Sequence, residues 1–279
     1  MTQFAVGPVD SGIVLAGPRR RSLWQSRASG GLLLLLLLCL WEVSARFGTI
    51  QSLNWPPFTV VLANLYASAV SGEIEPVIVS TLWRMMRGYA IGCAFGVSVG
   101  FMIALFRPVR LLLLPTIELL RPIPIPAIIP PLIFLLGLDD RLRLFSIAFA
   151  TFFPVTLNTL AGVRSIEPVY AQVARTFGVS RWTEVRRVVF PAALPFIFAG
   201  LRTSLGLAFI VTVIAEMIVG QEGIGFYLIS MQFAMRAADM YGGILLVTCI
   251  AYVLNRAFVA FEARAIRWAR QVETMRDSR

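Results

Sequence analysis

Arginine supplies all 25 basic residues of the chain, which contains neither lysine nor histidine, and its three cysteines, Cys39, Cys93 and Cys249, stand too far apart for metal-ligand spacing. A phosphate-binding P-loop needs its lysine and Schiff-base chemistry needs a lysine. Ser/His/Asp or Cys/His nucleophiles and most zinc sites need a histidine. Self-contained ATP hydrolysis of the P-loop kind is therefore excluded, and no catalytic residue, cofactor or metal is expected. What remains is a set of polar groups stranded in apolar sequence: Glu118 with Arg121, Arg202 with Thr203 and Ser204, and Glu216. Ionisable groups in such surroundings are candidates for contacting a solute or relaying a charge. Each has a plainer reading as well. Glu118 and Arg121, three apart, can pair on one helix face; Arg202 can snorkel to one interface and Glu216 can sit near the other.

The elements that must hold these groups are membrane helices. Of the 279 residues, 58% are hydrophobic and 14% charged, where a soluble domain carries roughly a quarter charged, and mean hydropathy is +0.78. A spanning helix takes about 20 mostly apolar residues. Six segments satisfy this, approximately 30–47, 81–106, 111–137, 142–163, 194–219 and 241–261. The first, all leucine over 32–38, has the look of a cleaved signal peptide, but its apolar stretch continues through Trp41 and Glu42 to Phe47, which favours an uncleaved first helix.

A net charge of +10 would suit a nucleic-acid partner. Here, however, the arginines bracket apolar runs, the pattern of membrane insertion, and no nucleic acid is expected. With the N-terminus inside, Arg19, Arg20, Arg21, Arg27, Arg107, Arg110, the five arginines of 164–187 and the five of 264–279 face the cytoplasm, 16 of 25. Only Arg46, Arg141, Arg143 and Arg236 face the other side. This bias predicts both termini in the cytoplasm. Residues 1–27 read as a flexible cytoplasmic tail, 28–270 as the membrane domain and 271–279 as a second cytoplasmic tail. A short surface helix is expected near 58–71, ended at Gly72.

Gly88, Gly92, Gly96 and Gly100 recur every four residues along the second span. Such a face lets a neighbouring backbone approach closely, within one bundle or at a subunit interface. The third span carries Pro115, Pro122, Pro124, Pro126, Pro130 and Pro131. Residues 121–131 are therefore expected to depart from a regular helix, and the freed carbonyls must be covered by protein or line a wet cavity. A buried kink and the wall of a translocation pathway both satisfy that condition. The pathway candidates are Arg121, Pro122, Pro124, Pro126, Arg202, Thr203 and Glu216. Residues 220–225, with glycine at 220, 223 and 225, read as a turn rather than a phosphate loop, since no strand precedes them.

Residues 164–190, with five arginines, Glu167 and Glu184, are too polar to cross a membrane. Their order predicts a short helix, a stop at Gly178, and a second helix that starts near Ser180 and enters the membrane past Pro191 and Pro195. This segment resembles the loop signature of importer permeases of the ATP-binding cassette (ABC) type, Glu-Ala-Ala, three residues, Gly, nine residues, Ile-x-Leu-Pro. In the chain, Gln172, Val173 and Ala174 are followed after three residues by Gly178, and after nine more by Val188, Val189, Phe190 and Pro191. Gln172 stands where that family has glutamate and Val173 where it has the first alanine. The similarity extends from about Ser80 to Trp268. Stretches such as Leu120-Arg121-Pro122-Ile123-Pro124 and Ala215-Glu216-Met217 are similar to the subgroup that imports nitrate, sulfonates and taurine.

The resemblance implies an all-α polytopic protein with six transmembrane helices, the type I ABC importer permease fold, in a bacterial inner membrane. It implies a permease that dimerises around a central pathway, most simply with a second copy of itself, works with two copies of a separate ATP-binding subunit, and receives a small anionic solute from an extracytoplasmic solute-binding protein. Ala171, Gln172, Val173, Ala174, Arg175, Gly178 and Pro191 are then the residues of coupling to the ATPase, and the remaining contact is with membrane lipid. The alternative class, a self-sufficient secondary transporter or channel driven by an ion gradient, calls for membrane carboxylate relays and an internal repeat. Glu118 and Glu216 are present but no repeat is visible, and that alternative leaves the loop unexplained.

Overall fold

The computed structural model describes residues 27–47 and 54–267, whose regular structure is entirely helical. The predicted tails, 1–27 and 271–279, lie outside the described residues except for Arg27, which opens the first helix, α1 (Arg27–Phe47). The chain divides into two units between Gln51 and Ser52, and α1 belongs to the first.

The second unit holds α2 (Phe58–Val70), α3 (Ile74–Leu105), α4 (Arg107–Leu120), α5 (Ile125–Leu136), α6 (Asp140–Arg164), α7 (Pro168–Thr176), α8 (Arg181–Glu184), α9 (Phe190–Val219), α10 (Ile224–Phe233) and α11 (Ala237–Ala265). Gly72, at φ 78°, ends the α2 turn where the sequence places a stop. Five helical stretches are long and apolar enough to cross a membrane: Gly30–Phe47, α3, α6, the continuous run Arg181–Val219, and α11. The second and fifth spans thus start earlier than hydropathy suggests, at Ile74 and Arg181.

The third span is broken. α4 and α5 meet at 103°, and at 1.5 Å per residue neither, at about 21 and 18 Å, covers a hydrocarbon core of about 30 Å. Only residues 121–124 leave the helix, less than the 121–131 expected. Pro126 falls in the first turn of α5, where no N–H is needed. Pro130 and Pro131 each remove a ladder bond, yet Ile129 and Leu132, which flank them, are buried against Leu142, Ala215 and Val219, and that packing holds the helix.

α6 lies between α3 and α9, which are its main neighbours. The four-residue glycine spacing explains the first of these contacts. A Cβ on Gly88, Gly96 or Gly100 would stand 2.7–2.8 Å from Ile147, Val155 or Thr159 of α6, and one on Gly92 would meet Thr151. The glycine face therefore packs inside one chain. Gly162 and Gly200 do the same between α6 and α9, against Phe196 and Asn158. Met85, Ile147, Val155 and Ala208, all fully buried, centre the core on these three helices.

Candidate functional site

At the end of the bundle where α6 finishes, the chain leaves for α7. Phe177 donates its N–H to Val173 O at 3.1 Å and Val179 to Ala174 O at 2.9 Å, and Gly178 has φ 66°. That pairing of a six-to-one bond with a left-handed residue is the Schellman stop, for which glycine is favoured. Among the described residues nothing lies within 4 Å of where a Gly178 Cβ would be, so the requirement at 178 is conformational. Ser180 then opens α8 by accepting the Thr183 N–H at 3.3 Å. α8 runs through a π-helical turn, Val185–Val189, in which Phe190 N–H reaches back to Val185 O, just before Pro191, which has no N–H to give. Helix, glycine stop, helix and entry past Pro191 follow the predicted order.

Val169 and Val173 on α7 and Phe177 just past its end recur every four residues, and with Tyr170 they form an apolar strip open to solvent; Phe177 is 80% exposed. Gln172 is also exposed, while Ala174 is buried. An isolated exposed apolar residue needs no explanation, but a strip along one polar-flanked helix marks a contact surface.

A cavity of about 390 Å³ lies against the α4–α5 break, lined by Arg121, Ile123, Ile125, four residues of α6 between Ala150 and Leu157, Asn158, and Thr203, Leu207 and Val211 of α9. It brings together Arg121 and Thr203, two of the pathway candidates, and adds Asn158, which was not singled out. Pro122, Pro124 and Pro126 shape the break but are not among the lining residues. Arg202, one residue from Thr203, points to a separate cavity of about 190 Å³ with Asn255 of α11. Glu118 and Arg121 do not pair: among the described residues, no ion pair involves either.

Glu216 sits apart from both cavities. It is fully buried and binds Arg84 Nη1 through Oε1 at 2.6 Å. Its Oε2 accepts the Thr81 hydroxyl at 2.9 Å and the Gly225 N–H at 3.1 Å. Arg84, 3% exposed, also reaches Asp140 at 2.8 Å and Glu222 at 2.6 Å. Thr81 in turn accepts the Ile224 N–H at 2.8 Å. Residues of α3, α6, α9 and α10 are thereby tied at one end, and the carboxylate caps the start of α10. The glycines of 220–225 make room for it: a Cβ on Gly223 would collide with the Glu216 carboxylate, and one on Gly225 with the Val213 carbonyl. The predicted turn is present, but its purpose is to seat α10, a helix that the sequence reading did not anticipate. Arg84 and Glu216 were legible as opposite charges in two apolar spans, each needing a partner; that they choose each other was not.

Long apolar helices packed on a common core, one span broken at prolines, and an exposed glycine-stopped helix between two spans define an all-helical polytopic membrane protein of the transport class. Residues 95–270 match the family described as binding-protein-dependent transport system inner membrane component, and the chain belongs to that family, the permeases of ABC-type importers. It is 31% identical over 245 residues to the taurine transport system permease protein TauC of Escherichia coli K12, covering 86% of this chain and 89% of that protein. Over 189 residues it is 32% identical to the bicarbonate transport system permease protein CmpB of Synechococcus elongatus, covering 67% and 68%. Its fold matches a chain of a bacterial ABC transporter involved in import of the acidic polysaccharide alginate, with TM-score 0.59 at 18% identity over 88% of this chain and 99% of that one.

Proposed function

We propose that the chain is the translocating subunit of an importer for a small anionic solute of the sulfonate, taurine or bicarbonate kind, driven through alternating access by a separate ATPase. The observation that carries the reading is α7: a glycine-stopped helix at one end of the bundle that presents Val169, Tyr170, Val173 and Phe177 to solvent. Such a strip suits a groove on a partner subunit, with residues 171–175, Gly178 and the entry at Pro191 transmitting its movement into α9. The absence of lysine and histidine supports a division of labour in which ATP is hydrolysed elsewhere. A second permease copy completes the pathway, a solute-binding protein delivers the solute, and the arginine bias puts α7 and both termini in the cytoplasm. The broken span beside α6 and α9 supplies the pathway wall.

Co-purification with a co-expressed ATPase of the importer type, followed by uptake into proteoliposomes, tests this. Phe177→Glu should reduce both ATPase retention and ATP-driven uptake severalfold while membrane insertion is unchanged. Full retention and uptake in that variant would remove α7 from coupling, and ion-gradient-driven uptake without ATPase would replace the reading by the secondary-transporter class.

A further inference from the structure

Arg121 is a permanently charged group at the break of a membrane span, and among the described residues no carboxylate answers it: Glu118 does not pair with it, and none of the eleven residues lining its cavity is acidic. The cavity borders the middle of α6 and the middle of α9, which for a spanning bundle is the depth farthest from water. A lone guanidinium there is costly unless the cavity supplies water or a counter-ion. At about 390 Å³ the space falls within the range of about 300–1,000 Å³ common for small-molecule sites.

The neighbouring polar groups are not equivalent. Asn158 gives one Nδ2 hydrogen to Pro154 O at 2.8 Å and keeps the second. Thr203 spends its only proton on Ala199 O at 3.0 Å, so its oxygen can accept but not donate. The available donors are thus the guanidinium and one amide N–H. Ile125, the first residue of α5, also lines the space, so the positive end of that helix dipole acts in the same direction.

We propose that Arg121 and Asn158 form the seat for a small oxyanion within the permease. Arg121 takes two oxygens in the planar fork geometry that suits sulfonate or bicarbonate, Asn158 donates to an oxygen, and Ile123, Phe153 and Leu207 receive any short alkyl portion. Charge at a fixed point is the selecting feature: a neutral isostere would leave the guanidinium desolvated and unanswered. The proposal rests on the permease reading, and its labelling readout is separate from the uptake that tests that reading.

A single cysteine at Ile123, in the full-length chain with Cys39, Cys93 and Cys249 replaced, is labelled by a water-soluble maleimide in the assembled complex without ATP. Ethanesulfonate or bicarbonate should slow labelling, and ethanesulfonamide should not. Arg121→Gln should raise the concentration for half-protection at least tenfold, about 1.4 kcal/mol; Arg121→Lys should recover part of it, and Asn158→Ala should give a smaller rise. Protection by neither anion, equal protection by ethanesulfonamide, or half-protection unchanged in Arg121→Gln would overturn the seat. The anion-against-amide comparison needs no Arg121 variant, so it decides the matter even where a variant folds poorly. Protection without any ATP-driven uptake would leave the seat standing and refute the importer reading.

Discussion

Replacing Glu216 by Gln changes almost no volume, yet it should cost the fold heavily, because both carboxylate oxygens are occupied by donors. Oε1 faces Arg84 Nη1 at 2.6 Å, and Oε2 faces Thr81 Oγ1 at 2.9 Å and Gly225 N–H at 3.1 Å. A carboxamide has one accepting oxygen and one NH2. Whichever way it turns, the NH2 confronts either the guanidinium or the Gly225 N–H. Breaking one partner out of a buried ion pair costs about 3–5 kcal/mol. Arg84 retains Asp140 and Glu222, whose side chains are 44% and 65% exposed, so the lower end applies, about 3 kcal/mol. At about 2–4 °C per kcal/mol, thermal unfolding in mild detergent, followed by circular dichroism, should shift down by about 6–12 °C. Glu222→Gln, at an exposed partner of the same arginine, should stay within about 1 kcal/mol of wild type. A Glu216→Gln protein that melts with wild type, or a Glu222→Gln protein that melts as early as Glu216→Gln, would refute the claim that the buried pair ties these helices.

Gly92→Ala should lower stability by about 1–3 kcal/mol through overpacking against Thr151, because its Cβ would stand 2.5 Å from the Ala148 carbonyl oxygen. Gly206→Ala, with nothing within 4 Å, should be neutral or stabilising by up to about 1 kcal/mol; the same melting measurement checks both. Gly178→Val should cost about 1–2 kcal/mol at the α7 stop and abolish ATP-driven uptake with normal membrane insertion, whereas Gly178→Asn, which tolerates the left-handed region, should retain uptake. Single cysteines at Glu73 and Trp182, both exposed, should react with an impermeant thiol reagent from opposite faces of the membrane, Glu73 from outside and Trp182 from the cytoplasm; labelling of both from one face would overturn the assigned orientation.

Properties that live within one stretch of chain were readable without coordinates. Hydropathy over about 20 residues marks a span because hydrocarbon thickness sets the length. Missing lysine and histidine remove whole classes of chemistry. The stop at Gly178 and the start at Ser180 are read from residues a few positions apart, since capping is local. The four-residue glycine repeat said that a helix face would be approached closely, but not by what; the partner proved to be the α6 face of Ile147, Thr151, Val155 and Thr159, as interior packing and not a subunit contact.

Tertiary structure decided the remainder. Arg84 and Glu216 are 132 residues apart in the chain, and only the crossing of α3, α9 and α10 makes them a pair, which gives Glu216 a helix-tying role. Arg121, by contrast, had a neighbour in sequence, Glu118, and does not use it: its backbone stays helical, with the N–H donated to Ile117 O, so the three-residue spacing holds, yet the side chain lines the cavity at the break instead. The meeting of Arg121, Asn158 and Thr203 around one cavity depends on the 103° bend. Proline spacing announces that a helix must break. The direction in which it then runs is set by which apolar face of α5 finds Leu142, Ala215 and Val219 to bury against.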